Sequence, residues 1–257
     1  KSIDILCEVN KEFAILIEDK THTKNHSGQL ERYHDILVAE YAKDKIILVY
    51  LKTGDQGEYN EVKKAGYFPF LRHDFIGVLE FAIKSGATNH ILHDFYNHLT
   101  SLENSFQSFK TLPVSDWHWD SWKGFYSELS KKLGDGAWDY VPQKNGGFLG
   151  FWWCWQYQKH DDIEFEYYLQ LEHNKFCFKL APYKREEAEQ ARQIFRPQLF
   201  DKAKQHNIEI YQNGRIGNYM TIAALTEAYL KTDHNGLIDF DTTIELIRLI
   251  EKMFCDI

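Results

Sequence analysis

The chain lacks any stretch approaching the roughly eighteen consecutive apolar residues that a membrane-crossing helix needs. Its start at Lys1 shows neither a basic leader followed by an apolar run nor a lipidation signal, so no membrane contact is expected and the expected location is cytoplasmic. It also lacks an initiating Met and opens directly on a strand-like run, which predicts that the natural protein continues upstream of this numbering. Cysteine is scarce: the four residues, Cys7, Cys154, Cys177 and Cys255, are scattered with no C-x-x-C pair and are expected to be reduced core thiols. No G-x-x-x-x-G-K-[ST] or G-x-G-x-x-G string occurs, so there is no phosphate-cradling glycine loop and no ATP-driven motor. Without a G-x-S-x-G elbow, and with no cysteine in a catalytic setting, a Ser- or Cys-based nucleophile has no support. Positive charge is in deficit: 30 Lys and Arg against 38 Asp and Glu give a net charge of −8. That balance argues against a broad cationic surface for nucleic acid, so any basic contacts must be local.

What is present is ample material for a packed core, 44% hydrophobic over 257 residues, enough for one large domain or two modest ones. The first part reads as strand, strand, helix, strand, at 3–9, 13–20, about 27–42 and 45–52, an order that builds a mixed α/β layer. Helical patterns follow at 74–84 and 89–106. Between 110 and 147 the texture changes, with Pro113, Pro142 and Gly146-Gly147 around one helix near 119–133, and this places a domain boundary near residue 110. Beyond it come strand-like segments at 148–158 and 163–180, a helix at about 185–206, a strand from Ile208 and a closing helix at 241–254. The expectation is an α/β domain over 1–110, a mixed sheet flanked by helices, followed over 111–257 by an α+β domain with an antiparallel sheet.

The informative segment runs from Ile3 to Tyr33. On a strand alternate residues share a face, so Glu18 and Lys20 project together while Asp19 points the other way. If Asn10, Lys11 and Glu12 form a three-residue hairpin loop, Val9 pairs with Phe13, and the same register puts Asp4 opposite Glu18. Two carboxylates so opposed, with Cβ atoms about 5 Å apart, repel by roughly 3 kcal/mol at an effective dielectric of about 20. Because Ile5, Leu6, Leu16 and Ile17 are apolar on both faces, the hairpin is expected inside a sheet covered on both sides, where a divalent cation is the natural counter-charge. Hard carboxylate oxygens suit Mg²⁺ or Mn²⁺. An E-x-K triplet alone says little: Glu61-Val62-Lys63 is another, in a polar, helix-like segment with no preceding Asp-bearing strand. The added weight comes from Gln29 and Tyr33, whose i, i+4 spacing on the next helix puts an amide and a phenol on one side.

Asp4, then Glu18-x-Lys20, then Gln29-x-x-x-Tyr33 resembles the PD-(D/E)xK nuclease signature with the Q-x-x-x-Y helix of its RecB-like branch. The wording "IDILCEVN…AILIEDKTHTKNHSGQLERYHDIL" is similar to a bacterial branch of that superfamily. The resemblance implies a restriction-endonuclease-like fold and a metal-dependent endo- or exonuclease acting on DNA rather than RNA, in defence against foreign DNA or in DNA maintenance. It implies that Asp4 and Glu18 bind the metal, that Lys20 orients the attacking water or stabilises charge on the phosphate, and that Gln29 and Tyr33 brace the site or the substrate. It also implies a further acidic residue on a helix that would precede Lys1. The rival reading is a non-catalytic module that keeps the scaffold to bind nucleic acid or a protein partner. For the second domain, recognition of substrate and homo-oligomerisation are both open.

Other residues invite weaker stories. His22 and His26 flank the segment and could contact a phosphate or a second metal, with solvated loop residues as the default. His90 and His93 read as surface groups. The clusters around Trp117, Trp119 and Trp122, and from Phe151 to Tyr157, could stack bases, but alternation puts Trp153, Trp155 and Tyr157 on one sheet face and favours core packing. Lys184, Arg185, Arg192, Arg196, Lys202 and Lys204 read as a solvated helix face diluted by Glu186, Glu187 and Glu189.

Overall fold

A computed structural model describes residues 3–21, 23, 28–143, 146–212 and 214–257 and divides into two units, Lys1–Ser105 and Phe106–Ile257. In the first, β1 (Ile5–Val9) and β2 (Phe13–Lys20) form an antiparallel hairpin with Val9 opposite Phe13 and Ile5 opposite Ile17, the register that a three-residue loop predicts. The Glu12 N–H donates to the Val9 carbonyl at 3.0 Å, and Asn10 and Lys11 both take left-handed backbone, φ 55° and 57°. β2 pairs in parallel with β3 (Ile46–Lys52), and β3 in parallel with β4 (Phe68–Leu71), giving a mixed sheet of order β1-β2-β3-β4. Parallel neighbours need a crossover, and α1 (Gln29–Val38) and α2 (Asn60–Lys64) lie in the two connections.

One face of this sheet is closed. Alternation along β2 buries Ala14, Leu16 and Glu18, and the parallel register sets Tyr50 and Lys52 of β3 beside them. Leu30, Tyr33 and Leu37 of α1, with Val62 of α2 and Tyr67, cover that face, and a side chain such as Leu16 contributes about 1.5–3 kcal/mol by its burial. The other face departs from expectation. β1 is exposed along its whole length, and Ile5, Val9, Ile47 and Phe68 stay in solvent while Ile15, Ile17, Val49 and Leu51 on the same face are half-buried, so among the described residues this face is only partly covered. β1 is an edge strand, and apolar residues on both faces of a strand do not by themselves supply a second layer.

After β4, α3 (Arg72–Lys84) and α4 (His90–Gln107) follow almost without a break. The buried Arg72 at the start of α3 ties them together: its guanidinium pairs with Asp55 at 2.8 Å and with Glu103 of α4 at 2.9 Å, and donates to the Thr53 carbonyl at 3.1 Å. Burying a guanidinium is costly unless its fork of donors is met, and here two carboxylates and a carbonyl meet it.

The second unit is a six-stranded antiparallel sheet, order β5-β6-β7-β8-β10-β9, built from β5 (Ala137–Val141), β6 (Phe148–His160), β7 (Ile163–Glu172), β8 (Lys175–Pro182), β9 (Ile210–Gln212) and β10 (Met220–Leu225). Helices α5 (Trp119–Leu133), α6 (Ala188–Gln205) and α7 (Phe240–Cys255) contribute Phe125, Leu129, Phe195, Leu199, Ile250 and Phe254 to one continuous aromatic and aliphatic core with Phe151, Trp153, Phe176 and Phe178. The α/β sheet and the separate α+β antiparallel sheet both match expectation. The segment 163–180, read as one strand-like run, is two strands joined at His173, whose φ of 51° begins a tight turn. The short strands β4, β5 and β10 have no counterpart among the predicted elements, since four to six residues are too few to establish a period. Cys7 and Cys255 are exposed and only Cys154 and Cys177 buried, so the expectation of four core thiols fails where the first lies on the edge strand and the last in the final helical turn.

A bulge corrects the aromatic reading. At Cys154, φ 54°, the β6–β7 register shifts, which leaves Trp153 in the core and turns Trp155 to the opposite face, stacked on Tyr168 at 3.8 Å between ring centroids. Trp155 and Tyr157 are exposed, so the three rings do not share a face. No helix among the described residues is long and apolar enough to cross a membrane.

Candidate active site

The hairpin, its neighbouring strand and α1 bring Asp4, Glu18, Lys20, Gln29 and Tyr33 to one place. Glu18 is fully buried near the end of β2, and the Lys20 ammonium, two residues on and on the same face, pairs with its Oε1. The same oxygen accepts from the Gln29 side-chain amide at 2.6 Å, and that amide nitrogen lies 3.3 Å from the Tyr33 hydroxyl one helical turn later. Spacing explains both contacts: period two aligns Glu18 with Lys20, and the i, i+4 offset aligns Gln29 with Tyr33. Asp4 sits just before β1, where the hairpin register carried one step further faces Glu18, and its Oδ2 accepts the Asp19 N–H at 3.1 Å. Asp19 itself is exposed on the other side of the strand, as alternation requires.

Burial, the largest influence, raises the Glu18 carboxyl above its ordinary value; Lys20 pulls it down, and the nearby Asp4 carboxyl pushes it up again. The neighbouring Tyr67, held by its hydroxyl donating to the Leu30 carbonyl at 3.1 Å, has a phenol raised by burial and by the charge of Glu18. Glu18 Oε2 and Gln29 Oε1 are both buried acceptors with no hydrogen-bond partner among the described residues. A buried carboxylate oxygen without a donor costs of order 1–3 kcal/mol or more, and a second carboxylate beside it adds repulsion. A hard cation relieves both, so Asp4 and Glu18 fit a divalent ion. Among the described residues no group of three or more His, Cys, Asp or Glu is placed to hold a metal. Two protein carboxylates, with water and substrate oxygens completing the shell, are nonetheless the ordinary provision for Mg²⁺.

Several neighbours were not singled out from sequence. Lys52 lies beside Lys20 in the parallel register and is buried, its ammonium donating to the Thr23 carbonyl at 2.8 Å. Thr53 N–H donates to the Lys20 carbonyl at 3.3 Å, and Gly54 presses so close to the Thr21 carbonyl that a Cβ there would clash with backbone. These contacts pin the chain just beyond Lys20 to the end of β3. The signal for Lys52 was available, as a charged residue closing an apolar strand, but the partner strand had to be known before it pointed anywhere. His22 and His26 lie outside the described residues. His93 Nε2 lies 3.1 Å from the Ala87 carbonyl, just ahead of its own helix, and joins no site.

Residues 1–110 match the family model of the PD-(D/E)XK nuclease superfamily, and the mixed sheet with flanking helices agrees with a restriction-endonuclease-like fold. No curated protein and no solved structure matches the chain.

Proposed function

We propose, from the premise that residues 1–110 belong to the PD-(D/E)XK nuclease superfamily, that the first unit hydrolyses phosphodiester bonds at a divalent-cation site made by Asp4 and Glu18. The observation that carries this reading is the Glu18 carboxylate: one oxygen held by Lys20 and Gln29, the other buried, without a donor among the described residues, close to a second carboxylate. A static hydrophobic sheet has no use for such an arrangement, and its cost argues for a ligand.

Asp4 and Glu18 would hold Mg²⁺ or Mn²⁺, which when bound supplies positive charge against the oxygens of the scissile phosphate. Lys20 has three N–H donors, and pairing with Glu18 leaves others to direct at an attacking water or at a phosphate oxygen that gains charge in the transition state. Gln29 is a positioning residue: it fixes the Glu18 carboxylate, and Tyr33 in turn fixes the Gln29 amide. That pair supports the RecB-like Q-x-x-x-Y branch. DNA rather than RNA as substrate, and a place in defence or DNA maintenance, rest on analogy with the family.

The second unit, in this reading, recognises the substrate. Trp155, Tyr157, Tyr183 and Tyr219 are exposed, and three of them line a cavity of about 430 Å³ together with Arg185 and Asn218, a setting suited to stacking an unpaired base.

The full chain incubated with DNA or RNA oligonucleotides and Mg²⁺ or Mn²⁺ should cut at least one of them, and cutting should stop with a chelator. Lys20→Ala and Glu18→Gln should each reduce it by about 10²-fold or more while far-UV circular dichroism is unchanged. Equal cutting by wild type and both variants would identify a contaminant. Nucleic-acid binding with no response to either cation would instead favour a binding module on a nuclease scaffold.

A further inference from the structure

The bulge in β6 does more than turn Trp155. Cys154 occupies left-handed backbone, φ 54°, a region that residues other than Gly, Asn and Asp seldom adopt, and such strain persists where the surroundings impose it. Asp135 Oδ2 accepts the Cys154 N–H at 3.1 Å and holds the bulge in place. The result is that the Cys154 sulfur lies 2.9 Å from the sulfur of Cys255, at the end of α7 and 101 positions away in sequence. A disulfide is about 2.05 Å long, so closing the bond needs a movement of about 0.9 Å. Gln156 Nε2 stands 3.9 Å from both sulfurs.

We propose that Cys154 and Cys255 are an oxidation-responsive thiol pair that a hydroperoxide closes to an intramolecular disulfide. The two thiols differ in access: Cys255 is exposed and Cys154 buried, so Cys255 meets the oxidant first. Its sulfur takes a hydroxyl from hydrogen peroxide, forming a sulfenic acid and releasing one water. The Cys154 sulfur then bonds to the Cys255 sulfur and displaces hydroxide, which leaves with the Cys154 thiol proton as a second water. Two thiols have lost two electrons, and the peroxide has become two waters. Burial, and after it the neighbouring Cys255, push the Cys154 thiol above the ordinary range, which agrees with Cys255 rather than Cys154 meeting the oxidant first. The bond fastens the last turn of α7 to the bulge that presents Trp155, and a thiol reductant reopens it.

The test treats the reduced full chain with hydrogen peroxide, alkylates remaining thiols in denaturant, and maps them by digestion and mass spectrometry. Alkylatable thiols should fall from four to two, with the peptides containing Cys154 and Cys255 linked within one chain and separated again by dithiothreitol. The oxidised chain should melt several degrees higher than the reduced one. Cys255→Ser, a change at an exposed position, should form no linked peptide and show no peroxide-dependent shift in melting. The proposal is overturned by any of three results: Cys154 still fully alkylatable after Cys255 has been oxidised, a cross-link between chains through Cys7, or four free thiols at peroxide levels that oxidise glutathione.

Discussion

The six-stranded sheet hides aromatic rings, whereas the four-stranded sheet hides charge. In the second unit the face under the helices is filled by Phe151, Trp153, Phe176, Phe178, Phe195 and Phe254, several in edge or tilted ring contact, and few polar groups intrude. In the first unit the corresponding face carries Glu18, Lys20, Gln29 and Lys52 among Ala14, Leu16, Tyr50 and a handful of others. Burying carboxylate and ammonium groups destabilises a fold unless something offsets their lost hydration. The contrast separates two uses of a covered sheet face: one unit maximises apolar contact, and the other accepts desolvated charge at the mouth of a hairpin, as functional sites commonly do.

That contrast is tested first through the large core. Phe178→Ala should lower the unfolding free energy of the second unit by about 3–5 kcal/mol, whereas Phe68→Ala, on the partly covered face of the first unit's sheet, should cost less than about 0.5 kcal/mol. Denaturant titration of the full chain separates them, and similar losses at both positions would mean that this face is fully covered in solution. Next in size, Lys20→Ala should reduce cutting by about 10²–10³-fold at unchanged secondary structure, the typical loss when one preorganised electrostatic group is removed. A merely structural Glu18–Lys20 pair would leave the rate of cutting where it was.

A third outcome concerns the cation. Mg²⁺ or Mn²⁺ at a hundred times its dissociation constant should stabilise the wild type by about 2.7 kcal/mol and leave Glu18→Gln and Asp4→Asn unmoved, as read from the thermal midpoint. The most modest effect is that of pH. In cation-free protein, burial holds the Glu18 carboxyl above its ordinary 4.5, so the group's favourable contribution is complete below pH 4.5 and is lost as pH rises through the folded value. The denaturation midpoint should therefore decline across that interval, and Glu18→Gln, which has no proton to lose there, should flatten this part of the profile. A profile that slopes the other way would mean that Lys20 outweighs burial at Glu18.

Much of the first unit was legible because its signals are local. Alternation along Phe13–Lys20 predicts which side Glu18 takes, a three-residue loop predicts the hairpin register, and the Gln29–Tyr33 spacing predicts a shared helix side. Each depends only on backbone period. The neighbours that complete the surroundings, Lys52, Gly54 and Tyr67, come from strands and turns dozens of residues away, and nothing in their own segments announces the meeting. In the second unit a single bulge at Cys154 defeated an alternation argument that was sound up to that residue, because one extra residue in a strand reverses the face of all that follow.

Residue order alone therefore determined the classes of the two sheets, the absence of nucleotide-cradling glycine loops, and the alignment of Asp4, Glu18, Lys20, Gln29 and Tyr33, since strand and helix periods act within a few residues of each side chain. Only the tertiary structure decided that one face of the first sheet is only partly covered among the described residues, that Glu18 keeps a buried oxygen without a donor among them, and that two cysteines 101 positions apart come into contact. Those outcomes depend on which surfaces meet after the chain has turned many times, and a period read along one segment carries no information about its distant neighbours.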